Sequence, residues 1–115
     1  MGVNVIQSQE SVCSKFGSAF VPVDPHSRVG IALSTLSAEP LNALRIRPEE
    51  GTCGWYIWGG EVVTSQDDFF QPLHSIHLAV RCPAIIPYLG LAPGWRVLLA
   101  PTQVDVWFDE RLVGE

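Results

Sequence analysis

Hydrophobic and polar positions alternate most cleanly over residues 28–35, where Val29, Ile31 and Leu33 fall on one side and Gly30, Ala32 and Ser34 on the other. A period of two marks a strand. Small side chains let another element approach closely, so this strand is expected centrally, under a helix. Trp55-Tyr56-Ile57-Trp58 is aromatic or β-branched throughout and predicts a second strand. Gly59-Gly60 and Glu61-Val62-Val63 follow it, and two strand runs about Gly-Gly predict a tight hairpin. The apolar run Trp95–Ala100 predicts a buried strand, and Pro101-Thr102-Gln103 turns the chain. Beyond the turn, Val104, Val106 and Phe108 alternate with Asp105, Trp107 and Asp109, as in a half-exposed strand.

Helical spacing appears in two places. Val12, Phe16, Ala19 and Phe20 form a partial stripe, weakened by Gly17 and ended by Pro22 and Pro25. Leu73, Ile76, His77 and Val80 share a face and predict a helix over 73–81, after which Pro83 starts another at its first position. Ile85, Ile86 and Leu89 make its apolar turn, and Gly90 is expected as its C-terminal cap. Residues 1–10 alternate weakly and read as a ragged arm or a short edge strand. Residues 37–50, with Pro40, Pro48 and Glu49-Glu50, read as an irregular connection with a short extended piece at Leu44-Arg45-Ile46. The sum is an α+β fold in two layers: a mostly antiparallel sheet of four to six strands, with a helical pair inserted before the C-terminal hairpin. At 115 residues, one domain over 1–115 is expected.

Composition narrows the function. With 47% hydrophobic and 17% charged residues, disorder is excluded as the main state. No apolar run approaches the roughly 18–20 residues of a membrane span. Residues 1–10 have neither a basic start nor a long apolar stretch, so no secretory signal and a cytoplasmic location are expected. Twelve acids against seven bases give a net charge of −5, and the bases are scattered, with Lys15 the one lysine. Nucleic-acid binding draws its affinity from clustered Lys and Arg, so it is not expected. Three cysteines without a CxxC argue against a disulfide framework and suit a reducing compartment.

Candidate chemistry is sparse. His74 and His77 lie three apart, and Cys82 follows five later, so two imidazoles on one helix face could share a metal, with His26, Cys13 and Cys53 as further ligands. The spacing fits no zinc signature, and the alternative is a half-buried His77 in the core. Cys82 with a histidine could act as nucleophile and base, but it precedes Pro83 with no recognisable oxyanion loop. Gly59-Gly60 lacks the Lys and Ser/Thr of a phosphate loop. The strongest signal is aromatic. Of four tryptophans, Trp55 and Trp58 have opposite parity, so one should face outward, and Trp107 lies among carboxylates on the polar side of its strand. An exposed aromatic ringed by acids is how an interface anchor looks; the alternative is a ring covered by a loop or an arginine stem. The candidate partner-binding residues are Trp58, Glu61, Asp67, Asp68, Asp105, Trp107 and Asp109, with no cofactor expected.

A resemblance points the same way. Ser14-Lys15, the strand Val29-Gly30-Ile31-Ala32, the run from Cys53-Gly54-Trp55 to Gly60-Glu61, Cys82-Pro83, Ile85-Ile86-Pro87-Tyr88-Leu89 and Pro93-Gly94 occur in the order of the bacterial immunity protein thirty-three family, which the chain resembles. Residues 40–48 depart from that pattern. The resemblance implies a non-enzymatic binder that neutralises a toxin by occluding its active site or holding it inactive. A basic toxin would suit the acidic balance. Two other readings stand beside it: a small metal-dependent or thiol enzyme using His74, His77 and Cys82, and a homodimer pairing through the 104–109 strand as an exposed edge. Monomer and homodimer both remain open.

Overall fold

In the computed structural model, which describes residues 3–61, 63, 66 and 68–114, six strands form one mixed sheet. They are β1 (Arg28–Ile31), β2 (Leu41–Arg45), β3 (Thr52–Gly59), β4 (Gln71–His74), β5 (Trp95–Ala100) and β6 (Gln103–Phe108), in the spatial order β4-β1-β3-β2-β5-β6. Only β1 and β3 run parallel; the other neighbours are antiparallel. The helical elements are α1 (Val3–Phe16), the short α2 (Leu78–Arg81) and 3-10 turns at Leu33–Thr35, Ser75–His77, Pro83–Tyr88 and Glu110–Leu112. The architecture is α+β, as expected, with a helical pair between β4 and the β5–β6 hairpin. No helix among the described residues is long and apolar enough to cross a membrane.

Strand register sorts the side chains onto two faces. Val29, Ile31, Ala43, Arg45, Trp55, Ile57 and Val97 share one, and Cys13 of α1, Leu78, Ile85, Leu89 and Leu91 close over it to make the core. Gly30, Leu44, Tyr56, Leu98 and Trp107 share the other.

Several expectations need correction. Residues 3–10, read as part of an arm or edge strand, are helical: α1 runs from Val3, and residues 1 and 2 lie outside the described residues. The deciding pattern is Gln9, Val12, Cys13 and Phe16, spaced three, one and three. Gln9 is buried and its Nε2 donates to the carbonyl of Ile86 at 2.8 Å, tying α1 to the Pro83–Tyr88 turn. The helix ends where Gly17 turns left-handed at φ 87° and both Gly17 and Ser18 amides reach Cys13 O at 2.9 Å.

The strand at 28–35 stops at Ile31 and lies next to the edge strand, not centrally. What comes close to its small side is a ring rather than a helix, since a Cβ at Gly30 would stand 2.7 Å from Tyr56. The connection at 37–50 contains β2, paired on both sides by β3 and β5. Its alternation is hidden because Leu44 faces away from the core and Arg45 faces into it.

The hairpin about Gly59-Gly60 does not form. β3 ends at Gly59 and pairs back with β2; Glu61 and Val63 belong to no strand, and Val62 lies outside the described residues. Only Gly60 has positive φ, at 83°. Gly59 is needed for another reason: a Cβ there would collide with the carbonyls of Thr35 and Ala38.

The helix over 73–81 is likewise a strand followed by a turn and a half of helix. Leu73 pairs with Val29 in β4, the helical phase begins two residues later, and Ser75 and Leu78 are buried while Ile76, His77 and Val80 are exposed. Gly90 is not a left-handed cap; a Cβ there would stand 2.6 Å from the Phe20 ring.

Candidate functional site: the open face of the sheet

Two rows of side chains cross the face opposite the helices. One runs Trp58, Asn42, Leu98, Asp105; the next runs Gly30, Tyr56, Leu44, Arg96, Trp107. Each neighbour in a row is a direct cross-strand pair, so the side chains form a continuous surface. Leu44, Tyr56 and Leu98 are partly exposed on it. The connection after β3 folds back over one end, where Phe70 meets Tyr56 and Trp58 edge-on at centroid distances of 5.1 and 6.0 Å. Beside Phe70 is a cavity of about 330 Å³ walled by Arg28, Glu49, Glu50, Thr52, Tyr56 and Phe70.

Gly54 shapes this region. Its φ is 89°, and a Cβ would collide with the carbonyl oxygen of Ile46. Here β3 bulges against β1: Arg28 faces Thr52, yet Gly30 faces Tyr56. The bulge re-aims the strand so that Trp55 enters the core and Tyr56 the open face.

At the other end of the face Asp109 gathers two arginines. Its carboxylate accepts from Arg111 Nε and Nη2, both at 2.9 Å, from the Arg111 backbone amide at 3.1 Å and from Arg96 Nη1 at 3.1 Å. The hydrogen bonds from Arg111, reinforced by Arg96, hold this carboxyl far below the usual carboxylate range. The Arg96 guanidinium lies 5.6 Å from the centre of the Trp107 ring. Trp107 nevertheless stays 40% exposed, with the Arg96 guanidinium over its ring.

A second arginine arrangement holds the core in place. Arg45 is buried, stacks on Trp55 at 5.7 Å, and donates through Nε to Cys53 O at 2.9 Å and through Nη1 to Val21 O and Leu91 O, both at 2.8 Å. Trp55 Nε1 donates in turn to Leu89 O at 3.0 Å. Among the described residues no carboxylate forms an ion pair with Arg45, and burial lowers its pKa. Two further segments, at Val21 and at Leu89–Leu91, are thereby pinned to β2 and β3.

Comparison with known families adds one match. The family model of the Imm33-like domain covers residues 8–109 of the 115. The chain belongs to the Imm33-like family. No curated protein and no solved structure matches it. The Imm33-like match takes in all six strands, both rows of the open face and Asp109, and stops short of Arg111.

Within this Imm33-like domain the residues singled out from sequence have different fates. Trp58, Asp105 and Trp107 meet on one face. Trp58 points away from the helical layer but is only 6% exposed beneath Phe70, so it supports the surface rather than forming it. Asp109 is 8% exposed, and its oxygens accept from Arg96 and Arg111. Glu61 and Asp68 are exposed on the connection after β3; Asp67 lies outside the described residues. His74 and His77 are exposed with ring centres 6.3 Å apart. All three cysteines are free and buried, and burial raises the Cys82 and Cys13 thiol pKa values, which suppresses the thiolate a nucleophile needs. No group of three or more His, Cys, Asp or Glu among the described residues is placed to hold a metal ion. Sequence reasoning missed Tyr56, Leu44, Leu98, Arg96 and Phe70 as site residues, and Arg45 as the core's buried cation. The signal for Arg45 was its parity with Leu41 and Ala43.

Proposed function

We propose that this Imm33-like domain is an immunity protein that neutralises a toxin by docking the open face of its sheet, with no bond made or broken. The family match over residues 8–109 carries this reading. The surface supports it: apolar and aromatic side chains stand in register with Arg96 and Asp105, the mixture of anchor and polar rim that interfaces use. The net charge of −5 favours a basic toxin, and unpaired cysteines suit the cytoplasm as the place of action.

The test is co-expression with a toxin encoded by a neighbouring gene. Wild type is expected to restore growth and co-purify as a complex. Trp107→Ala and Leu98→Asp are expected to weaken the complex by about 2 kcal/mol or more, roughly 30-fold in Kd. Val80→Ala, at an 82%-exposed position of α2, leaves protection intact. A chain that neither protects nor binds, or face variants that protect as well as wild type, would overturn the reading.

A further inference from the structure

The two edges of the sheet are unlike. β4 is four residues long and contains Pro72, features that blunt an edge. β6 is six residues long, has no proline and leaves Val104 49%, Trp107 40% and Phe108 50% exposed. Asp109 N donates to Gly94 O at 2.7 Å in line with the β5–β6 register. In an antiparallel ladder the bonded positions alternate, so Asp109, Trp107, Asp105 and Gln103 direct their amides and carbonyls toward β5. Val104, Val106 and Phe108 then direct theirs outward, along the open edge.

From this edge we infer that the protein self-associates, β6 pairing antiparallel with β6 of a second copy about a two-fold axis at Val106. This goes beyond the toxin-binding reading, because it uses the edge and leaves the face free. The register follows from chemistry. Pairing Val106 with its own copy engages all three outward residues and sets Val104 opposite Phe108, the two most exposed apolar side chains of the strand. On the open face it sets Asp105 opposite Trp107. Sliding by two residues in one direction would put Asp105 opposite Asp105, and like charges directly opposite are destabilising. Sliding the other way loses one of the outward pairs. In the favoured register the two sheets join into one, and the rows ending in Trp107 and Asp105 continue into the second copy. A two-fold isologous contact closes at two chains.

Sedimentation equilibrium of the full chain at about 100 μM is expected to give twice the 12.6 kDa of one chain. Val104→Lys, at a half-exposed position, should return the mass to one chain with an unchanged circular dichroism spectrum. Cysteine substitution reads the register. Val106→Cys should oxidise to a covalent dimer, since facing Cα atoms at a bonded pair are about 5.5 Å apart. Val104→Cys should not, because its copy lies four positions, about 13 Å, along the strand. A wild-type mass of one chain at that concentration overturns the proposal, as does a dimer that Val104→Lys leaves intact, or equal cross-linking of the two cysteine variants. Protection of the Val104, Val106 and Phe108 amides from hydrogen exchange only in a toxin complex would give the edge to the toxin instead, and also overturns it.

Discussion

A guanidinium inside the core, held by backbone carbonyls with no carboxylate paired to it among the described residues, is a costly choice. Removing a cation from water costs several kcal/mol in a real protein. Arg45 offsets that with charge-assisted hydrogen bonds to Cys53 O, Val21 O and Leu91 O, each contributing about 1.5–3 kcal/mol, with a longer one to Leu89 O at 3.4 Å, and with the Trp55 face beneath it. The planar fork matters because the acceptors diverge: Cys53 on β3, Val21 after α1, and Leu91 beyond the Pro83–Tyr88 turn. Arg45→Lys keeps the charge but brings one compact ammonium to a site that needs two nitrogens. Arg45→Met removes the charge and leaves buried carbonyls without donors. Both are expected to lower unfolding stability by about 2–4 kcal/mol, read as a reduced urea midpoint with unchanged slope. A loss below about 1 kcal/mol would mean that water replaces the fork at no cost.

Asp109 works between elements. Its carboxylate caps the terminal 3-10 turn through the Arg111 amide and reaches across to Arg96 of β5. Its pKa in the fold is lowered, first by the Arg111 side-chain hydrogen bonds. A carboxyl with a lower pKa folded than unfolded adds stability that is complete above the unfolded value, about 4. That contribution is lost as pH falls below 4 toward the folded value. Thermal unfolding between pH 7 and pH 2 should therefore show Asp109→Asn less stable than wild type at neutral pH, with the gap narrowing below about pH 4. A gap independent of pH would mean that the carboxylate contributes by shape alone. Elements whose neighbours are close in sequence were legible beforehand: β5, the turn at Pro101-Thr102, β6, and the 3-10 start at Pro83. β2 was legible only as a short extended piece at Leu44-Arg45-Ile46, because its core-facing position is filled by an arginine that distant carbonyls make tolerable. β4 was not, because Leu73 fits a helical stripe as well as a strand, and its ladder with Val29 decided the matter. The site divides the same way. The outward parity of Trp58 and Trp107 was readable from alternation. The rows joining them to Leu44, Leu98 and Arg96 depend on the strand order β3-β2-β5-β6, and the Phe70 cover depends on where a loop returns; neither is local.

At the scale of the whole molecule, charge and apolar surface have separate jobs. The helical layer packs on one face of the sheet and buries its centre at Val29, Ile31, Ala43, Trp55, Ile57 and Val97, leaving Val104 and Phe108 exposed at the β6 end. The other face offers rows of Leu44, Leu98, Tyr56 and Trp107, rimmed by Asp105 and by Glu49 and Glu50 at the cavity. Rim charges mainly change the rate of encounter, and buried anchors mainly change the rate of escape. For a basic toxin, raising salt from about 50 mM to about 500 mM shortens the Debye length from roughly 14 Å to roughly 4 Å. Steering by a net charge of −5 should then be screened almost fully. Stopped-flow mixing is expected to show association slowing about tenfold or more while dissociation changes less than about threefold. Association that ignores salt would mean the partner is selected by the shape of the open face, with the acidic balance serving solubility alone.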